Sequence, residues 1–364
     1  MKNHYLIIYL IFLVFIIGCE KNPIENDSEK YIWSVSKPEA QKMNPQILDS
    51  AFVKAELTGF IDGLLVIRNG YIVAEEYYNG YNELQPHNIM SVSKSFLSAI
   101  TGIALHQGYI DSLEEKILNY FPEYIYPDID PRKYDITIRH LLTMRMGIKG
   151  EADDDYGVYW ELYNSGNWIK ETIESQLLND PGEKMRYNTF QTHLLSAIIT
   201  KATQQSTLDF AREVLFKPMK IDIDSWEQDP QGYYFGGNSM HFTPREIAVL
   251  GYLYLNNGRL NDMQIIPINW IELSLSPSTN KEHPNEWGAW KNYNYAYLWW
   301  LGQINEYDLF MGYGYGGQFV VVFPSINLIV VSTAKHQISP ETSTVQEWAI
   351  FDIIAKYVLP SIND

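Results

Sequence analysis

The stretch Ser91-Val92-Ser93-Lys94 sets a hydroxyl and an amine three residues apart. On a helix, positions i and i+3 share a face, so Ser91 and Lys94 meet if a helix begins here with Asn88 as its cap. A serine at a helix N-terminus has free backbone N–H groups nearby, suited to a developing oxyanion. A lysine pressed among apolar neighbours has its ammonium disfavoured and its pKa lowered. It can then accept the serine proton, which is nucleophilic acyl-transfer chemistry. The motif is short, and its competing reading is a helix cap followed by a solvated lysine.

Other chemical readings fail on context. Gly312-Tyr-Gly314-Tyr-Gly316-Gly317 satisfies G-x-G-x-x-G, but a dinucleotide site needs those glycines to open a helix. Here Gln318–Phe323 follows, an apolar strand pattern. Gly237-Asn-Ser239-Met-His241 approaches a nucleophile elbow but lacks the second glycine. No metal-binding spacing occurs among the eight histidines, and His140 and His193 read as helix-packing residues. Neither a metal nor a cofactor is expected.

The elements that must position Ser91 and Lys94 come from both ends of the chain. Gly63–Arg68 and Tyr71–Tyr77 are β-prone runs joined by Asn69-Gly70, the strongest short hairpin signal. Asp49–Leu57 reads as a first helix. Val92, Phe96, Ala99 and Ile103 draw one apolar face of a helix that stops at Gly108. Thr137 caps a short helix, a helix is expected near Gln191–Ala202, and Thr243-Pro244-Arg245-Glu246 is a capping box with proline at the first helical position. Tyr307–Met311, Gln318–Phe323 and Leu328–Thr333 read as strands, and 344–358 as a closing helix. The pattern predicts an α+β fold: one antiparallel sheet assembled from both chain ends and flanked by helices, plus a mostly helical insertion. The sheet part is expected at about 46–115 and 290–364, and the helical part at about 116–289.

Six segments in order resemble the serine β-lactamase-like family of class C β-lactamases, D-alanyl-D-alanine peptidases, esterases and 6-aminohexanoate-dimer hydrolases. They are Gly63–Tyr77, Ile89–Phe96, Ile136–Met144, Pro181–Tyr187, Phe242–Ala248 and Gly314–Gln318. The resemblance implies that Ser91 is acylated, that Lys94 is its base, and that Tyr187 relays the proton to the leaving group. It further implies an oxyanion hole from the backbone N–H groups of Ser91 and Gln318. Gly316 and Gly317 then give a substrate close approach to the strand edge.

Two positions depart from the family pattern. Tyr187-Asn188-Thr189 stands where Tyr-x-Asn is usual, so a hydroxyl replaces the amide that meets the substrate carbonyl unless Asn188 substitutes. Tyr315 stands where lysine or histidine is usual, and a phenol offers one hydrogen bond but no charge. Asn188, Thr189, Tyr315, Gly316 and Gly317 are the expected substrate contacts. The neutral third box tilts the expectation toward an esterase or amidase acting on neutral small-molecule or short-peptide acyl substrates. A D-Ala-D-Ala peptidase or β-lactamase is the alternative; a non-catalytic cell-envelope binding protein with a degenerate site is the alternative from another class. Aromatic residues crowd Tyr156–Trp168 and Trp287–Trp300, where they either line a pocket or pack the core.

The 364-residue chain carries a net charge of −17, which argues against nucleic acid and modestly against anionic substrates. A mean hydropathy of −0.21 excludes a multi-span membrane protein. An apolar run, Tyr5–Ile17, ends at Gly18-Cys19 and is followed by a polar stretch. This resembles a bacterial lipoprotein signal, with residues 1–18 removed and the single cysteine, Cys19, lipidated. Residues 19–45 then read as tether and arm, 46–364 as the hydrolase domain, and the protein as exported and lipid-anchored in the cell envelope.

Overall fold

The computed structural model describes residues 30–278 and 285–363. The lipobox, Cys19 and the tether as far as residue 29 lie outside them. Among the described residues thirteen strands occur: β1 (Ser34–Val35), β2 (Ile61–Arg68), β3 (Tyr71–Tyr77), β4 (His87–Asn88), β5 (His241–Phe242), β6 (Arg259–Leu260), β7 (Met263–Gln264), β8 (Glu286–Trp287), β9 (Trp290–Tyr295), β10 (Trp300–Ile304), β11 (Tyr307–Gly314), β12 (Gln318–Phe323) and β13 (Leu328–Ala334). Nine of them form one sheet in the order β1-β3-β2-β13-β12-β11-β10-β9-β8. The centre of that sheet joins the two chain ends, β2 pairing antiparallel with β13.

Alternation along the central strands explains why both faces are covered. Leu65, Ile67, Val320, Val322, Ile329 and Val331 enter one apolar cluster with the helices Ser93–His106 and Pro244–Leu255. Leu64, Val66, Val321, Phe323 and Val330 enter the other, under the helices Pro45–Thr58 and Pro340–Ile353. Successive side chains on a strand point to opposite faces, so a strand buried on both reads as a continuous apolar run.

Local signals place the helices. Asn44 Oδ1 caps Pro45–Thr58 and Gly59, at φ 68°, ends it. Asn69 and Gly70 take the positive φ values that the hairpin turn requires. Thr243 and Glu246 form the expected reciprocal capping box. Gly251 lets that helix approach the sheet, since a Cβ there would stand 2.8 Å from Val320 Cγ2.

Three expectations are corrected. The helix Ser93–His106 is buried on every side from Ser93 to Ala104, not along one apolar face. Its polar side chains are absorbed locally, for example by Ser95 Oγ donating to Leu298 O at 3.0 Å and Thr101 Oγ1 to Leu97 O at 2.7 Å. The arm belongs to the fold from Tyr31 onward: β1 pairs parallel with β3, Trp33 is 6% exposed, and its Nε1 donates to Arg245 O. The helix Pro244–Leu255, assigned by sequence to the helical part, packs on β12, β13 and β2.

Candidate active site

Ser91 lies in a single 3-10 turn, Met90–Val92, immediately ahead of the buried helix. Met90 adopts φ 50°, an uncommon left-handed conformation for a residue with a side chain, and such strain persists only where surroundings enforce it. The enforcement is visible. Met90 N donates to Asn88 Oδ1 at 2.9 Å, Ile89 N to Met240 O at 2.9 Å, and β4 is held by β5. Asn88 thus pins Met90 but is not the expected helix cap: Ile89 is the N-cap of the turn and Val92 that of the helix, and neither makes a side-chain cap bond.

This turn packs against β11 and β12. The close approach explains the glycines of the rejected dinucleotide motif: a Cβ on Gly314 would stand 2.6 Å from Ile89 O, and one on Gly312 3.1 Å from Ser95 Oγ. Gly316 and Gly317, at φ 79° and 99°, turn the chain from β11 into β12, which begins at Gln318.

Lys94 is 1% exposed. Its Nζ lies 2.8 Å from Ser91 Oγ, 3.0 Å from Thr189 Oγ1 and 2.8 Å from Gly237 O. Burial pulls its pKa down to about 7, with Glu151 acting in the opposite direction. A neutral amine has two N–H donors and one lone pair. Gly237 O can only accept, so with a second N–H on Thr189 Oγ1 the lone pair is left for the Ser91 hydroxyl. That arrangement suits proton abstraction from serine.

Tyr187 lies beside Lys94, its ring centroid 4.9 Å from Nζ. Its ring stacks on Trp300 and meets Tyr295 edge-on. Burial first, then Tyr295 and Glu151, raise its pKa well above the ordinary value, so it is a neutral phenol and not a phenolate base. It can pass a proton only by accepting one as it gives one.

The structure brings Ser91, Lys94, Tyr187 and Thr189 together, and redirects several expected substrate contacts. Asn188 is buried: its Oδ1 accepts from Phe190 N and its Nδ2 donates to Lys149 O, both at 2.9 Å, so its amide caps the helix Thr189–Thr203. Thr189 is 2% exposed and its Oγ1 accepts from Lys94 Nζ. Tyr315 commits its hydroxyl proton to Ile338 O at 2.9 Å, leaving an acceptor oxygen and a ring beside Tyr156. Gly316 spends its N–H on Ser343 Oγ and Glu347 and its carbonyl on Gln346 Nε2. The Gln318 side chain forms a pair of hydrogen bonds with the Ala334 backbone.

Three participants carried no sequence signal that was recognised: Glu151, the Gly237 carbonyl and Glu347. The pattern near Gly237 was noticed for Ser239, whose hydroxyl instead donates to Glu227. His140 serves the cap at Thr137, and His193 pairs with Asp229 in the core. Among the described residues no group of three metal-ligating side chains occurs. The aromatic stretches divide: Trp168 and Trp290 pack in the core, Trp160 is exposed, and Tyr295 and Trp300 back Tyr187.

Fold and site together define the class shared by β-lactamases and penicillin-binding proteins. A family model described as Beta-lactamase matches residues 62–354, and the chain belongs to that family. It is 24% identical over 291 residues to the 6-aminohexanoate-dimer hydrolase of Paenarthrobacter ureafaciens, covering 75% of this chain and 72% of that one. A Bacillus anthracis protein provisionally described as a 6-aminohexanoate-dimer hydrolase superposes with a TM-score of 0.68 at 20% identity, over 92% of this chain and 90% of its own. EstCE1, a hydrolase with promiscuous acyltransferase activity, superposes with a TM-score of 0.68 at 15% identity, over 87% and 98%.

Proposed function

We propose that the protein is a serine hydrolase that forms an acyl-enzyme on Ser91 and acts on neutral esters or amides. One observation carries this reading: the buried Lys94 amine, with its pKa pulled down to about 7, stands 2.8 Å from the Ser91 hydroxyl. In the proposed reaction Lys94 takes the Ser91 proton as Oγ attacks the substrate carbonyl carbon. The N–H groups of Ser91 and Gln318 bind the oxyanion. The proton then passes by way of Tyr187 to the leaving oxygen or nitrogen as its bond to the acyl carbon breaks. Water, losing a proton to the same groups, attacks the acyl-enzyme and releases the acid.

Neutral substrates are favoured because Tyr315 supplies no charge where a carboxylate-binding cation would act, in a chain of net charge −17. The similarity to a 6-aminohexanoate-dimer hydrolase, whose substrate is joined by an amide bond, supports an acyl substrate of this kind. Export and lipidation at Cys19 complete the reading. Mass spectrometry of the membrane-extracted protein tests them, a Cys19→Ala chain that remains lipidated being the contrary result.

The decisive panel contains a short-chain nitrophenyl ester, a linear amide, a D-Ala-D-Ala peptide and a chromogenic cephalosporin. The expected result is turnover of the ester or amide, abolished in Ser91→Ala, with a fluorophosphonate adduct on Ser91. Undiminished activity in Ser91→Ala rejects the assignment. Dominant cephalosporin or D-Ala-D-Ala hydrolysis rejects the neutral-substrate part.

A further inference from the structure

Thr189 stands between the proposed base and a buried carboxylate. Its Oγ1 is 3.0 Å from Lys94 Nζ, and its backbone N–H donates to Glu151 Oε1 over 2.6 Å. The Thr189 backbone N–H meets the carboxylate and its hydroxyl oxygen meets the amine, so one residue serves both partners. Glu151 N in turn donates to Tyr187 O at 2.8 Å. A single glutamate therefore holds both ends of the tripeptide that delivers Tyr187 and Thr189 to the site.

Glu151 is 6% exposed. The groups that face it are Lys94 from the helix Ser93–His106, Tyr187 ahead of the helix Thr189–Thr203, Tyr156 and Tyr159 at the helix Gly157–Tyr163, and Tyr295 at the end of β9. The four phenols are neutral, each raised chiefly by burial, so Lys94 is the cation in this set when protonated. Burial pushes the Glu151 carboxyl up, while Lys94 and the Thr189 N–H pull it back.

We propose that Glu151 is a positioning residue for the acylation chemistry proposed above, holding Lys94 through Thr189 and setting, with its buried carboxyl group, the surroundings in which that amine gains or loses a proton. The inference rests on the serine-hydrolase reading. Glu151 is not required to touch substrate; it acts through Thr189 and Lys94.

The test is the pH dependence of ester kcat/KM, and of fluorophosphonate labelling of Ser91, in the full chain and in Glu151→Gln, Thr189→Val and Thr189→Ser. Ser91→Ala is the control. Glu151→Gln removes the charge that favours the ammonium, so its acid limb is expected to move to lower pH by about one unit. Thr189→Val is expected to move it in the same direction, and Thr189→Ser to keep the parental midpoint. A limb in Glu151→Gln coincident with the parent overturns the proposal. If Glu151→Gln does not fold, a Thr189→Val limb coincident with the parent's overturns it instead. Undiminished turnover in Ser91→Ala rejects the hydrolase reading itself; an inactive Ser91→Ala with unmoved limbs rejects only the role of Glu151.

Discussion

The backbone N–H of Gly316 lies 3.2 Å from Glu347 Oε1, which ties the turn before Gln318, the proposed second oxyanion donor, to the C-terminal helix. The same carboxylate accepts from Ser343 Oγ, Trp287 Nε1 and the Tyr313 hydroxyl. Burial pushes its pKa up and these donors pull it back. Glu347→Ala leaves several buried donors unpaired, at about 1–3 kcal/mol each. A lower melting temperature is expected, with ester kcat/KM reduced roughly ten- to a hundredfold as the Gln318 N–H loses its fixed direction. Equal kcat/KM in the variant would contradict this link.

The pH–rate profile follows from Lys94. With its pKa pulled down to about 7 by burial, ester kcat/KM rises with pH through that value as the free amine forms, then levels. Stability has a definite sign as well. The unfolded lysine titrates near about 10.4, so between that pH and about 7 the unfolded state binds more protons and stability from this group increases with pH. Lys94→Met removes this contribution. A chemical-denaturation series from neutral to mildly alkaline pH that shows the same slope in both proteins would refute it.

Asn188 is expected to matter for stability and little for the chemical step. Its Oδ1 caps the helix Thr189–Thr203, and losing such a cap costs about 1 kcal/mol. Asn188→Ala should lower the denaturant midpoint while keeping the acid-limb pH of the rate profile. A shifted acid limb at unchanged stability would return Asn188 to the substrate-contacting group.

Tyr315 sets the charge at the strand edge. Its hydroxyl donates to Ile338 O, so the native residue directs no proton toward an anion. Tyr315→Lys places an ammonium there. The ratio of cephalosporin to neutral-ester kcat/KM is expected to rise about tenfold, corresponding to one charge-assisted hydrogen bond of roughly 1.4 kcal/mol. A ratio that stays level would show that the third box does not determine substrate charge.

The sequence carried Ser91, Lys94, Tyr187 and Gln318 because each sits in a local signature: a helix start, a Pro-Gly turn followed by a helix, and a glycine turn opening a strand. The hairpin at Asn69-Gly70 and the Thr243 capping box were legible for the same reason, since neighbouring residues alone decide them. Glu151 and the Gly237 carbonyl were not. They reach Lys94 only through the folding of distant segments, and neither has a periodic or capping signature. How the arm attaches was not legible, because a two-residue parallel strand leaves almost no pattern, and what fixes it is Trp33 on Arg245, more than 200 positions away. Asn188 is diverted from the expected substrate contacts for a physical reason: the residue before a helix is the one whose side chain turns back to cap it.

The pairing of β2 with β13 joins Arg68 to Leu328. A polypeptide emerging from the ribosome therefore carries Ser91 and Lys94 long before it has Gln318, or the strand and helix that hold Gln318 in place. Non-local pairing of this kind forms late. In the proposed mechanism the nascent chain is chemically silent, unable to acylate itself in transit, and competence arrives in one step when the last strand closes the sheet. Shortening the protein from its C-terminus should remove activity altogether and not leave a weaker enzyme.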